Sequence, residues 1–282
     1  KLRDYPLKPF LADGSAVVTA CLLALSIPPL APWWLVVLGA FIAIGLAKHL
    51  YGGLGQNPFN PAMVGFAVLI VSFPAQMSRW AAPLMLAQPD LGALAQIAYV
   101  FTGQLPLAFD AIASATPLDA VRTGLLQHLD LGAILSAPQF GRAGGVAQQW
   151  ISVGYLLGGL CLWQQKIISW RLPLAFLAGL GLTATAFWLA DSTHYANPLF
   201  HLLSGGAMLG AFFIITDPIT SPTTPRGQLI FAALAGLLAY LIRTQGGYPD
   251  GVAFSVLILN IAGPFIDQYT QPAVFGRKRR RA

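Results

Sequence analysis

Residues 52–70 read GGLGQNPFNPAMVGFAVLI, so a loop rich in glycine, asparagine and proline passes directly into an apolar helical segment. Proline cannot donate a backbone hydrogen bond, and glycine adopts conformations that other residues avoid. In a membrane, such irregular backbone is tolerated only where protein buries it or where it lines a cavity. The stretch therefore predicts a broken helix with a loop near membrane depth.

A similar pattern, GGYPDGVAFSVLI, occupies residues 246–258. A weaker echo joins Gly14-Ser15-Ala16 to Gly205-Gly206-Ala207. The distribution of Lys and Arg, described below, places the two loops on opposite sides of the membrane. The two copies are therefore inverted relative to each other, as in many transporter folds. The order of the echoes predicts an inverted five-helix repeat, with two further helices expected before Lys1.

The composition is that of a polytopic membrane protein. Of the 282 residues, 56% are hydrophobic and 9% are charged, whereas soluble domains carry about 25% charged residues. This excludes a soluble enzyme, because the chain has too few charges to cover a water-facing surface.

A bilayer span needs about 20 mostly apolar residues, and we predict eight spans in an all-α fold. They are 14–29, 33–49, 61–77, 148–165, 172–190, 199–216, 227–244 and 251–268.

Residues 78–147 differ from their surroundings, because Arg, Asp, Gly and Pro interrupt the apolar pattern. We expect an extramembrane loop with short helices near 91–101 and 118–129. The predicted organisation is a truncated first membrane repeat (1–77), this loop (78–147), and a second membrane repeat with a basic tail (148–282). Lys and Arg are enriched in cytoplasmic loops, and twelve of the 16 fall on the side of the C-terminus. The C-terminus is therefore predicted to be cytoplasmic and the loop periplasmic, with the tail held at anionic lipid rather than nucleic acid.

Two loops on the predicted cytoplasmic side carry candidate ligand-binding side chains. Asn57 and Asn60 can offer oxygens and amides to a polar ligand, or they can cap a helix and form turns. Asp217 and Thr223 belong to a hydroxyl-rich turn that can hold a phosphate or a flavin ring, or cap its neighbouring helices. The residues alone leave both readings open. No cysteine–histidine cluster at metal spacing, Walker loop or nucleophile elbow occurs in the sequence.

The periplasmic loop contains DAIASATPL at residues 110–118. Taken alone this is a turn of small residues, in which Ser114 or Thr116 caps a helix that begins at Pro117.

Taken together, four motifs resemble those of one family, the D subunit of the Rnf (Rsx) ion-translocating electron transport complex. They are YGGLGQNPFNPAMVG at 51–65, ATPL at 115–118, LLSGGAMLGAFF at 202–213 with TDP at 216–218, and GGYPDGVAF at 246–254. The B subunit of the sodium-pumping NADH:quinone oxidoreductase is similar but more distant. The resemblance covers the chain from about Asp13 onward. It implies an inner-membrane protein of about ten helices, in a complex that moves electrons between NADH and ferredoxin and translocates Na⁺ or H⁺.

The resemblance also implies a covalent flavin. In this family FMN is joined by a phosphoester to the final Thr of a motif close to Asp-x-x-Ser/Thr-Gly-Ala-Thr, which corresponds here to Asp110, Ala115 and the attachment residue Thr116. The sequence departs from the motif at Ala113 and Ser114, and Ser114 is an alternative acceptor. A flavin transferase is then needed for maturation.

The family also implies a non-covalent riboflavin, for which the loops of Asn57 and Asn60 and of Asp217 and Thr223 are the candidates. Two other functions compete with the electron relay. One is a secondary transporter or channel for a small polar solute, suggested by the inverted repeat and the broken loops. The other is a scaffold without a cofactor.

Overall fold

The computed structural model describes residues 13–83, 86, 92–104 and 113–272, and within these every regular element is a helix. Two isolated β-bridges join Ala81 to Ala113 and Phe140 to Gly145. The all-α prediction is confirmed for this part of the chain.

The first half of the chain forms α1 to α4, and the loop region adds three short helices. Their bounds are α1 Ser15–Ser26, α2 Trp33–Ala40, α3 Pro61–Ser72, α4 Pro74–Met77, α5 Ala93–Thr102, α6 Pro117–Leu126 and α7 Leu131–Leu135. A π-helical segment, Phe41–His49, extends α2 without a break. The two helices expected in the loop, near 91–101 and 118–129, correspond to α5 and α6.

The second half contains the long helices. Their bounds are α8 Gln148–Gln164, α9 Arg171–Ala190, α10 Pro198–Leu203, α11 Ala207–Leu209, α12 Pro225–Gln245 and α13 Val252–Thr270. A second π-helical segment, Gly210–Ile214, follows α11. By length and composition, α9, α12 and α13 are long and apolar enough to cross a membrane. Large apolar side chains such as Leu182 and Leu189 face outward from α9, as lipid contact requires.

Helices lie at all eight predicted spans, but two of these spans are not continuous as predicted. In the span 61–77, Pro74 starts a new short helix and α3 ends at Ser72, because the residue before a proline is driven away from helical backbone. The span 199–216 breaks between Leu203 and Ala207. Gly205 has a left-handed φ of 62° there, which no continuous helix can accommodate.

The core centres on the contact between α9 and α12. Tyr240, Phe176 and Phe231 are among the largest fully buried side chains. Glycine makes this contact possible, since a Cβ added to Gly236 would lie 2.1 Å from the carbonyl oxygen of Phe176. The two backbones therefore touch directly, a packing mode common between membrane helices.

The loop region is docked onto the membrane helices. A separate apolar cluster joins α6 and α7 to the start of α10, through Leu118, Val121, Ile134 and Phe200. This packing fixes the position of α6 and of the residue that caps it. The inverted repeat and the domain bounds 1–77, 78–147 and 148–282 stay predictions of the sequence.

Candidate functional site

Thr116 is the N-cap of α6, and it is one of the two residues, with Ser114, that the local sequence offers as caps. Its Oγ1 accepts a hydrogen bond from the backbone N–H of Asp119 at 3.3 Å, and Pro117 occupies the first turn. Thr116 is half-buried, and the neighbouring Ala115 is exposed. The hydroxyl predicted to carry a flavin thus sits at a helix N-terminus, where the backbone favours negative charge.

Backbone contacts hold the segment before Thr116 against residues that follow α4. The N–H of Ser114 donates to the carbonyl of Trp80 at 3.0 Å, and Ala113 bridges to Ala81. Ser114 is half-buried in this arrangement. Asp110, the first residue of the motif, lies outside the described residues.

Thr116 lines a cavity of about 370 Å³ that opens between the two halves of the membrane region and the loop. A volume of this order is that of a small-molecule site. The apolar part of its wall comes from α3, α8, α11 and α13, and includes Met63, Phe66, Ile70, Ile151, Leu209 and Val252. The polar part includes Asp119, Arg122, Gln148, Tyr155 and Asp250. An apolar body with a few polar groups suits a flat aromatic ring that has a polar edge.

The break between α10 and α11 forms one wall of this cavity. Gly205 and Gly206 line it, and the side chains of other helices bind the backbone groups that the break frees. Gln148 Nε2 donates to the carbonyl of Gly205 at 3.0 Å, and Ser152 Oγ donates to that of Leu203 at 2.9 Å. The break is therefore a fixed structure, since each of these backbone groups has a partner.

An ion pair between a buried arginine and a half-buried aspartate completes the support of the break. Arg243, on α12, donates to the carbonyls of His201 at 2.6 Å and Ser204 at 3.3 Å. Its Nη2 also lies 3.1 Å from Asp250 Oδ1. Asp250 Oδ2 in turn accepts the N–H of Gly206 at 2.5 Å. Asp250 lies near the start of α13, and its carboxylate is paired with Arg243 and only partly exposed.

On the loop side, Arg122 extends from α6 to the second glycine-rich loop. Its Nη1 donates to the carbonyl of Gly247 at 2.5 Å, and Tyr248 stacks on Phe254 with ring centroids 4.6 Å apart. Gly247 and Tyr248 line the same cavity as Thr116. The loop at 246–251, singled out in the sequence as a repeat, is thus part of the cavity wall.

The floor of the cavity is tied to Asn60. Asn60 Oδ1 caps α3 by accepting the N–H of Met63 at 3.2 Å. Its Nδ2 donates to the carbonyl of Ile214 at 3.4 Å. Met63 and Ile214 both line the cavity. The structure thus places the cap of α3 next to the cavity that Thr116 lines, and the Asn60 side chain makes its hydrogen bonds within the protein.

The other residues predicted for a second flavin lie apart from this cavity. Asn57 is 4% exposed; its Nδ2 donates to the carbonyl of Phe59, whereas its Oδ1 has no partner among the described residues. Thr223 is exposed and binds the carboxylate of Asp267 through its N–H and its hydroxyl.

Asp217 folds the turn that follows the second π-helical segment. Its carboxylate accepts the N–H of Ile219 and the hydroxyl of Thr220, each at 3.1 Å. Burial raises the pKa of Asp217, and these two hydrogen bonds oppose that effect. The structure therefore shows that Asp217 stabilises a turn in this segment, and a role in ligand binding stays a prediction.

Three residues of the cavity wall, Arg122, Gln148 and Asp250, were not predicted as functional candidates, and neither was Arg243, which pairs with Asp250. For Arg243 and Asp250, the sequence does contain a signal, namely an arginine inside an apolar run, seven residues before an aspartate. An ionisable residue in a span usually faces a partner or a cavity, but only the fold shows which partner it meets.

Comparison with known proteins gives consistent matches along the whole chain. The profile of the NQR2, RnfD, RnfE family matches residues 1–276. A Yersinia pseudotuberculosis protein, named as the D subunit of an ion-translocating oxidoreductase complex, is 51% identical over 288 residues, which cover 99% of this chain and 82% of the relative. Proteins of the same name from Aeromonas hydrophila and Escherichia fergusonii are each 50% identical over 289 residues, covering 99% of this chain and 83% and 82% of the relatives.

Proposed function

Because the chain belongs to the NQR2, RnfD, RnfE family, we propose that it is the membrane subunit of an ion-translocating NADH:ferredoxin electron transport complex. In this proposal the chain relays electrons through FMN attached covalently to Thr116, and helps to couple electron transfer to Na⁺ or H⁺ translocation. It is one part of an oxidoreductase and has no catalytic activity alone. Relatives at 50% identity or more carry the name of the D subunit of an ion-translocating oxidoreductase complex, which supports the assembly with other subunits.

The observation that carries the proposal is the position of the Thr116 hydroxyl. It is half-buried at the wall of a cavity of about 370 Å³. Apolar side chains such as Phe66 and Ile151 would contact the ring, and Gln148 and Asp250 offer polar atoms to its edge. When bound, FMN supplies one- and two-electron chemistry at a potential that the surrounding protein sets. The residues present fit this group.

The chain also suits a phosphoester at this site. Thr116 caps a helix of ten residues, and a helix N-terminus stabilises a phosphate through its free N–H groups and its dipole. Arg122, on the same helix, lines the cavity and brings a positive charge. In this proposal, Thr116 anchors the cofactor and no side chain needs to act as an acid or a base.

A non-covalent riboflavin is a second proposal, at the loops that hold Asn57, Asn60, Asp217 and Thr223. The unpartnered, buried Oδ1 of Asn57 supports it, because a buried acceptor without a donor is costly. The side chains of the other three residues already make hydrogen bonds within the protein. Asn57 is therefore the residue whose replacement by leucine should release riboflavin, which chromatography of the acid-extracted flavin would measure.

We propose that the protein lies in the bacterial inner membrane, with a cytoplasmic C-terminus and a periplasmic loop at 78–147. A flavin transferase would attach FMN on the exported side. The three long apolar helices and the family support the membrane location.

The experiment that tests the function is in-gel flavin fluorescence after denaturation, in a host that has the flavin transferase. We expect a fluorescent wild-type band and a dark Thr116→Ala band. Thr123→Ala is the matched control, because Thr123 is an exposed threonine on the same helix, and it should stay fluorescent. Ser114→Ala should also stay fluorescent, whereas a dark Ser114→Ala band beside a fluorescent Thr116→Ala band would move the attachment to Ser114.

A dark wild-type band would overturn the relay and favour the two other functions. A secondary transporter or channel for a small polar solute would give flux in liposomes that hold this chain alone. The broken helix at Ser204–Gly206 is the feature that favours it. A scaffold would leave electron transfer normal in a complex in which this chain carries no flavin.

A further inference from the structure

Asp250 presents a carboxylate to the cavity that Thr116 lines. Its side chain is 27% exposed. Four donors hold it in place, namely the N–H groups of Gly206 and Val252 and both Nε and Nη2 of Arg243, at 2.5 to 3.2 Å. A carboxylate with this many charge-assisted and backbone hydrogen bonds has a fixed position, because each bond restricts where its oxygens can lie.

The counter-charge is buried, whereas the carboxylate is partly exposed and lines the cavity. The Arg243 side chain is 1% exposed, and its other hydrogen bonds go to the carbonyls of His201 and Ser204. The pair is neutral as a whole, but it is ordered: the anion is at the accessible end and the cation is at the buried end. A group in the cavity therefore experiences the anion more strongly, since the Coulomb interaction falls with distance.

Two glycines keep the carboxylate open to the cavity. A Cβ on Gly205 would lie 2.5 Å from Asp250 Oδ2, and one on Gly206 would lie 3.3 Å from the same atom. Any larger residue at position 205 would crowd the Oδ2 atom. The other charged residues among the described lining, Asp119 and Arg122, lie on α6 and are opposite in sign.

Resting on the proposed function, we infer that the carboxylate of Asp250 tunes the midpoint potential of the flavin on Thr116 by its charge. Electron uptake adds negative charge to the ring, and a fixed carboxylate in the same cavity opposes it, so Asp250 lowers the midpoint potential. Arg243 and the break between α10 and α11 hold the carboxylate where it acts. The effect is electrostatic and needs no proton transfer by Asp250.

The test is a redox titration of the covalent flavin in the full chain, purified in detergent from a host with the transferase. Asp250→Asn removes the charge and keeps the shape, so we expect a more positive midpoint potential with a fluorescent band after denaturation. Asp191→Asn is the matched control. Asp191 is an aspartate outside the cavity that pairs with His194 in an exposed turn, and its replacement should leave the potential unchanged.

A second variant keeps the inference falsifiable if Asp250→Asn leaves Arg243 unpaired and does not fold. In the double variant Asp250→Asn, Arg243→Gln, both charges are gone and hydrogen-bonding groups remain. Its potential should lie between that of the wild type and that of Asp250→Asn, because the nearer charge dominates. An unchanged or more negative potential in either flavin-bearing variant would overturn the inference, and so would loss of the covalent flavin from both. A dark wild-type band would instead overturn the proposed function itself.

Discussion

The backbone N–H of Asn60 donates to the side-chain Oδ1 of Asn260 at 3.0 Å, across 200 residues of chain. Both residues are buried. The bond joins the start of α3 to the middle of α13, the two helices that the sequence repeat relates. Asn260 Nδ2 also donates to the carbonyl of Thr220 at 3.3 Å. One asparagine side chain therefore ties the first half of the protein to the turn after the broken helix.

We expect Asn260→Ala to destabilise the protein by about 1–3 kcal/mol, the cost of leaving a buried donor unpaired. Thermal unfolding in detergent would measure the loss. Ile261→Ala, on the outward face of the same helix at 61% exposure, should cost much less. Equal losses in the two variants would show that the link contributes nothing beyond apolar contact.

Arg243→Ala should be strongly destabilising. It leaves the carbonyls of His201 and Ser204 without this donor and Asp250 without its counter-charge. Breaking a fully buried pair costs about 3–5 kcal/mol, which is an upper limit here because the Asp250 side chain is 27% exposed. The control is Arg142→Ala at an exposed arginine in the loop. Unfolding temperatures that match in the two variants would contradict the proposed support of the helix break.

Gly236→Ala tests the contact between α9 and α12. The added Cβ would lie 2.1 Å from the carbonyl oxygen of Phe176 and 2.7 Å from the nitrogen of Leu180, so the helices must move apart. We expect a lower unfolding temperature. Gly154→Ala is the matched control inside α8, where no atom lies within 4 Å of the added group. Alanine is the better helix former, so this control should be neutral or stabilising, and a similar drop in both would refute the contact.

Thr116 has a structural role that can be separated from flavin attachment. In protein made without the transferase, Thr116→Ala should cost about 1 kcal/mol, because it removes the cap of α6. Thr116→Ser keeps an Oγ that can accept the N–H of Asp119, so it should lower the free energy of unfolding by only a few tenths of a kcal/mol. Thermal unfolding of the flavin-free chain would compare them. Indistinguishable wild-type and Thr116→Ala proteins would mean that the cap bond at 3.3 Å is too weak to matter.

Local sequence signals predicted much of the fold. The cap at Thr116, the start of α6 at Pro117 and helices at all eight spans follow from composition and from the preferences of a few residues. Those signals act over a few positions, so they carry no information on contacts such as that of Asn60 with Asn260. The break at Gly205 also escaped prediction, because an apolar run with two glycines is compatible with a continuous helix.

Only the local part of the candidate site could be predicted, because sequence signals act over a few positions. The proposed attachment residue, Thr116, belongs to a short motif that can be recognised in the sequence. The cavity beside it is built from Met63, Gln148, Gly206 and Asp250, which come from distant parts of the chain. Their convergence depends on how the helices pack, and no spacing along the chain specifies it.

The backbone contact at Gly236 has a mechanical consequence. Helices whose main chains touch cannot slide or rotate past one another without steric overlap, so α9 and α12 form one rigid lever. Arg243, near the end of α12, donates hydrogen bonds to the break between α10 and α11 beside the cavity. A displacement of the break between α10 and α11 would therefore move α9 and α12 together, toward the opposite membrane surface.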